Sequence, residues 1–148
     1  MRCILRPKQI IMKKIIVAIL IGSSISTVYA QKIKAEDVPL VVKNEFKKHF
    51  PNAKVEVWEK EGVNFEAEFD VNKIETSALI NANGNLLETE SAISVSALPK
   101  MAKEYLSKTY KSEKIKEVAK IVEASGKIKY EAEIKGKDIL FDENGNIM

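Results

Sequence analysis

Residues 65–69 read FEAEF and residues 130–134 read YEAEI. In both, apolar and acidic positions alternate, the period of a strand with one buried face. Similar alternation runs through 54–60, 63–70, 73–81 and 85–91, and again through 114–121, 127–135 and 137–142. Glu61-Gly62, Asn83-Gly84, Ser125-Gly126 and Asn144-Gly145 punctuate these runs. Asn83-Gly84 is predicted to centre a two-residue type I′ hairpin, which needs positive φ at both positions. Ahead of each set of strands the period lengthens. Val38, Val42, Phe46 and Phe50 fall on one helical face, as do Leu98, Met101, Ala102, Tyr105, Leu106 and Tyr110. Asp37 before Pro39 predicts a helix start, Ser96 stands before Leu98 in the second stripe, and Pro51 stops the first helix.

The two sets align. Val38-Pro39 matches Leu98-Pro99 at an offset of 60, as do Val42, Phe46, Phe50 and Val55 with Ala102, Leu106, Tyr110 and Ile115. The pentapeptides match at 65, and NANGNL (81–86) matches DENGNI (142–147) at 61. The matches keep their order and the length changes fall in turns, so the pattern is a duplication. The predicted fold is α+β: a tandem repeat of a helix plus a four-stranded antiparallel sheet, with repeat 1 over 31–92 and repeat 2 over 93–148. The two repeats are predicted to form one curved sheet with both helices on one face. Two helices cover one side of such a sheet, leaving the other to solvent or a partner.

Alternation assigns the sides. Phe65, Ala67 and Phe69, and Tyr130, Ala132 and Ile134, face the helices, as do Val55 and Val57. Glu66, Glu68, Lys129, Glu131, Glu133 and Lys135 face away. Lys54, Glu56, Trp58 and Lys60 share that open face by parity, unless a bulge turns Trp58 inward. Trp58 is the chain's one tryptophan, and an exposed tryptophan is a typical interface anchor. The candidate partner-binding residues are therefore Trp58, Glu56, Glu66, Glu68, Lys116, Lys129, Glu131 and Glu133. Solvated cross-strand Lys–Glu pairs are the structural alternative for the charges.

Charge changes the picture only after residues 1–30 are set apart. Met12-Lys13-Lys14, an apolar stretch from Ile15, and Val28-Tyr29-Ala30 form the pattern of a secretory signal peptide cleaved before Gln31. Five of the 24 basic residues and none of the 21 acids lie in that segment. The mature chain would carry 19 basic residues, all lysine, against 21 acids, a net of −2. No basic patch argues for nucleic acid. Nothing is left to embed the mature chain in a membrane, and the location expected is the periplasm or the exterior. The single cysteine, Cys3, leaves with the signal, so no disulfide is expected.

Catalytic constellations are not evident. The one histidine, His49, sits at a predicted helix end, where the dipole favours it. Glu66/Glu68 and Glu131/Glu133 lie on strand surface, and no pair stands out for hydrolysis. No enzyme and no cofactor are predicted. A calcium- or small-ligand-responsive protein is the alternative, with Asp142 and Asn144 of the 142–146 turn as candidate metal ligands.

The run VPLVVKNEFKKHFPNAKVEVWEKEGVNFEAEF, followed by NANGNLLETE and by LPK with YEAEIKGKDILFDENGNIM, resembles the PepSY-like, beta-lactamase-inhibitor-like proteins, small exported proteins common in Bacteroidetes. The resemblance spans nearly all of the mature chain. It implies a periplasmic, non-enzymatic module whose concave sheet grips a protein or peptide partner.

Overall fold

The computed structural model describes residues 30–148. The expected signal peptide, apart from Ala30, lies outside the described residues. The chain runs β1 (Gln31–Ile33), α1 (Leu40–His49), β2 (Val55–Glu61), β3 (Asn64–Val71), β4 (Ile74–Asn81), β5 (Leu86–Ala92), α2 (Lys100–Thr109), β6 (Ile115–Glu123), β7 (Ile128–Ile134) and β8 (Lys137–Asp142). The strands form one open antiparallel sheet in the order of the sequence. Among the described residues no helix is long and apolar enough to cross a membrane.

The duplication extends to irregularities. Both helices follow a 3₁₀ turn, at Ala35–Asp37 and Val95–Ala97. The ladder slips between Val55 and Val57 in β2, and at the matching Ile115 and Glu117 in β6. β5 serves both units: Leu86 pairs with Ile80 of β4, while Glu88 to Ala92 pair with β6. The fourth strand of the second unit is present as a single bridge, Phe141 to Ile147. Short β1 takes the place before α1 that the end of β5 takes before α2.

Pro39 and Pro99 prove to be the N-caps, and Asp37 ends the 3₁₀ turn instead of capping α1. A residue before proline is driven out of the α region, so Val38 and Leu98 stay extended and bury their side chains. The Pro39 carbonyl accepts the amides of Val42 and Lys43, at 3.1 and 3.2 Å.

The turn at Asn83-Gly84 is not type I′, because among the two only Gly84 has positive φ, +80°. It is a three-residue loop, Ala82 to Gly84, with Asn81 accepting the Gly84 amide at 2.9 Å. The loop lies against α1: a Cβ on Gly84 would stand 3.0 Å from the Val41 carbonyl oxygen. Gly145 (φ +88°) repeats this more tightly, 2.7 Å from the Ala102 nitrogen. Positive φ at both central residues occurs instead at Asn72-Lys73 and Lys135-Gly136. Lys135 thus belongs to a turn, where it pairs with Glu113.

The core is split in two. Under α1, Val38, Val42 and Phe46 pack on Trp58, Phe65, Ala67, Phe69, Ala78 and Ile80. Under α2, Leu98, Ala102 and Leu106 pack on Val118, Ala132, Ile134 and Phe141. Between them the helix side of the sheet carries Thr76 and Ser91, whose hydroxyls are 3.4 Å apart.

Candidate functional site: the open sheet face

The β2 slip decides which residues reach the open face. Val55 stands opposite Phe69, but Val57 stands opposite Glu68 and Trp58 opposite Ala67. Glu56 is the extra residue, and a bulge of this kind reverses the alternation beyond it. Trp58 therefore faces the helices. It is 6% exposed and meets Phe46 edge-on, ring centres 5.8 Å apart. The expectations of Trp58 as an open-face anchor and Val57 as core are both corrected by this one residue. Glu56 is left exposed at the bulge, as is its counterpart Lys116.

Glu66, Glu68, Lys129, Glu131 and Glu133 occupy the open face as expected. Register adds Glu59 and Glu61 from β2, Glu75 from β4, Glu88 and Glu90 from β5, Glu117 and Glu123 from β6, and Asp138 from β8. Glu88 and Glu90 were readable in the alternation of LETES; Glu59 and Glu61 were hidden by the bulge. Against these acids, the strand cations facing the same way among the described residues are Lys32, Lys129 and Lys116 at the β6 bulge.

Like charges stand directly opposite one another: Glu59 and Glu66, Glu88 and Glu123, Glu117 and Glu133. Such pairs oppose folding. The alternative of Lys–Glu partners across the ladder describes part of this face, between β6 and β7. Lys129 pairs with Glu123 and Lys116 reaches Glu133. Among the described residues neither Glu90 nor Glu131 forms an ion pair, and they are 7% and 5% exposed. Both helices lie on the other side, so the helices do not supply this burial.

Titration follows. Burial, reinforced by Glu131, Glu66, Glu117 and Glu88, pushes the Glu90 carboxyl to about 10. Burial with Asp138, Glu117 and Glu133 lifts Glu131 to about 8. Glu66 rises to about 7 chiefly through burial, despite a hydrogen bond from Ser77. Glu68 rises to about 7 through burial and then Glu59 and Glu66, with Lys32 opposing. Glu88 and Glu117 are raised by the same causes. These groups resist ionising together, and an incoming cation would relieve them.

The remaining candidates serve local structure. Asp142 Oδ1 accepts the amides of Asn144 and Asn146 at 2.9 and 2.8 Å, and Oδ2 accepts Asn146 Nδ2 at 2.8 Å. These bonds hold its carboxyl below the usual range. Asn81 does the same for its own turn with a neutral oxygen, 3.0 Å from the amides of Asn83 and Asn85. Among the described residues no group of three or more His, Cys, Asp or Glu is placed to hold a metal ion. His49 Nε2 lies 2.9 Å from Glu45 Oε1, one helical turn back.

The family described as "Putative beta-lactamase-inhibitor-like, PepSY-like" matches residues 26–88 and again residues 64–148. No functionally curated protein matches the chain. Among solved structures, a protein of Bacteroides eggerthii described as periplasmic superposes with a TM-score of 0.67 at 16% identity, covering 75% of this chain and 86% of its own. A DUF2874 family protein of Bacteroides uniformis gives 0.66 at 17%, covering 74% and 86%. A BLIP-like protein of Bacteroides fragilis gives 0.56 at 24%, covering 74% and 82%. At these identities the likeness is one of fold, whereas the family match covers both copies of the repeat. The chain belongs to the PepSY-like, beta-lactamase-inhibitor-like family.

Proposed function

We propose that this protein is a non-enzymatic, inhibitor-like module of the periplasm that binds a basic segment of a partner protein or peptide across its open sheet face. Family membership and periplasmic fold relatives support the setting. One observation carries the rest: Glu90 and Glu131 are buried on the face opposite the helices, among further carboxylates and with no ion pair among the described residues. A protein keeps such an arrangement at a cost in stability. A lysine- or arginine-rich partner supplies the missing charges, and its approach is steered by the face as a whole.

The test compares binding of a lysine-rich peptide by wild type, by the open-face variant Glu66→Gln/Glu131→Gln, and by the charge-matched variant Glu36→Gln/Glu104→Gln, whose acids lie in the 3₁₀ turn and on α2. Calorimetry at low and high salt is expected to show about a tenfold loss for the open-face variant alone, with affinity falling as salt rises. Equal losses in the two variants would reduce the effect to net charge and remove the face from the account.

A further inference from the structure

The bulge that buries Trp58 also opens a groove on the other side of the sheet. Where β1 leaves the ladder toward α1, a cavity of about 490 Å³ lies between β1, α1 and β2. Its floor is apolar and includes Ile33, Val55, Phe46 and Trp58. Its rim is cationic. Lys43 and Lys47, one turn apart on α1, donate to the carbonyls of Ala35 and Ala53 at 3.1 and 3.0 Å. Each ammonium has three donors, so the tether fixes the group beside the groove and leaves donors over. Lys54 and Lys32 also line the cavity, and none of the four is ion-paired among the described residues. Glu56 is the one acid of the lining, exposed on the bulge.

The duplication supplies an internal control. The matching cavity between β5 and β6 measures about 330 Å³ and is lined by residues at an offset of 60, among them Ile93, Ile115 and Val118. There Val118 replaces Trp58, Glu75 and Glu117 enter the lining, and no residue of α2 takes part; on α2 Ser107 stands at the position of Lys47. Its lysine, Lys116, is paired with Glu133. The same backbone thus makes two cavities, of which the first alone joins a ring-lined floor to free cations.

We propose that the first groove binds a small amphipathic anion, in chemical terms a medium-chain carboxylate. Its apolar body lies along Trp58 and Phe46, and its carboxylate sits between Lys43 and Lys47. The volume falls within the range of about 300–1,000 Å³ usual for small-molecule sites. Charge complementarity selects the head group, and the apolar floor rejects a purely polar acid.

Trp58, the chain's one tryptophan, reports occupancy directly. The protein is titrated with decanoate, with decyltrimethylammonium, with decanol and with an acidic tetraglutamate peptide, each below its aggregation threshold. The result expected is a saturable change in Trp58 emission with decanoate below about 1 mM, and binding at least about tenfold weaker for the other three probes. Lys43→Gln/Lys47→Gln weakens decanoate about tenfold, while Lys103→Gln, at the matching place on α2, leaves it unchanged; melting curves confirm that each variant is folded. No saturable change, equal affinity for charged and neutral tails, or a tetraglutamate response matching decanoate would overturn the proposal. Because head-group selectivity is read on wild type, the test stands even where a variant loses stability.

Discussion

The two halves of the sheet share a backbone and differ in how they fill it. Under α1, Phe46 meets Phe50, Trp58 and Phe69 at centroid distances of 5.5, 5.8 and 4.9 Å. Under α2 the matching positions hold Leu106, Tyr110, Val118 and Ile134, and the large ring enters from the opposite wall, as Phe141 in the place of Ile80. Tyr105 meets it at 5.8 Å. Volume has moved between positions while the register, the bulge and the glycine turn stayed. Cores tolerate such exchange when total volume and pattern are kept. The open face behaves differently. Glu66 and Glu68 reappear as Glu131 and Glu133, although burial raises Glu66, Glu68 and Glu131 and like charges surround them. Packing alone has no use for those acids.

Substitutions can break or sharpen this contrast. The largest effect is expected from Phe46→Ala, which removes the ring shared by three others; denaturant unfolding should show a loss of about 3–5 kcal/mol. The matching Leu106→Ala should fall in the range of about 2–5 kcal/mol and below Phe46→Ala. Trp58→Val, which gives the first half the residue of the second, should cost about 2–4 kcal/mol. An equal stability would mean that the tryptophan contributes nothing to packing. Gly145→Ala should cost about 1–3 kcal/mol through its positive φ and its contact with α2, and more than Gly84→Ala, whose nearest approach is looser.

The smallest effect has the most informative sign. An acid whose folded pKa lies above its unfolded value binds its proton more tightly when folded. Its contribution is therefore full below the unfolded value near 4.5, and is lost as pH rises through the folded value. With Glu66 and Glu68 near 7 and Glu131 near 8, Tm should fall between about pH 5 and 8. Glu90→Gln should raise Tm at pH 8, by about 3–6 °C if roughly 1 kcal/mol is recovered. A Tm that climbs from pH 5 to 8, or drops on Glu90→Gln, would count against the electrostatic reading.

Much of this fold was written in local signals. Alternation at 65–69 and 130–134, the i,i+4 stripes and the ordered offsets fixed the elements, the pairing and the helix-covered side, because each depends on nearby residues alone. What escaped depends on the chain opposite. A bulge inserts one residue without changing the local alternation, so Val57, Trp58 and Glu59 read one way and lie the other. Cross-strand neighbours are likewise silent in one strand: Glu59 and Glu66 each look solvated until the register sets them face to face. The loop at Asn83-Gly84 escaped because α1, packed on Gly84, selects its shape.

The measurement closest to the central claim is a pH titration of the glutamate side-chain carboxyl carbons by NMR. Glu131 is expected to reach its midpoint near pH 8 and Glu90 higher still, with both midpoints falling when a lysine-rich peptide is bound. Midpoints for both residues near the ordinary value of 4.5 would contradict it, because carboxylates that ionise freely on that face need no cation from a partner.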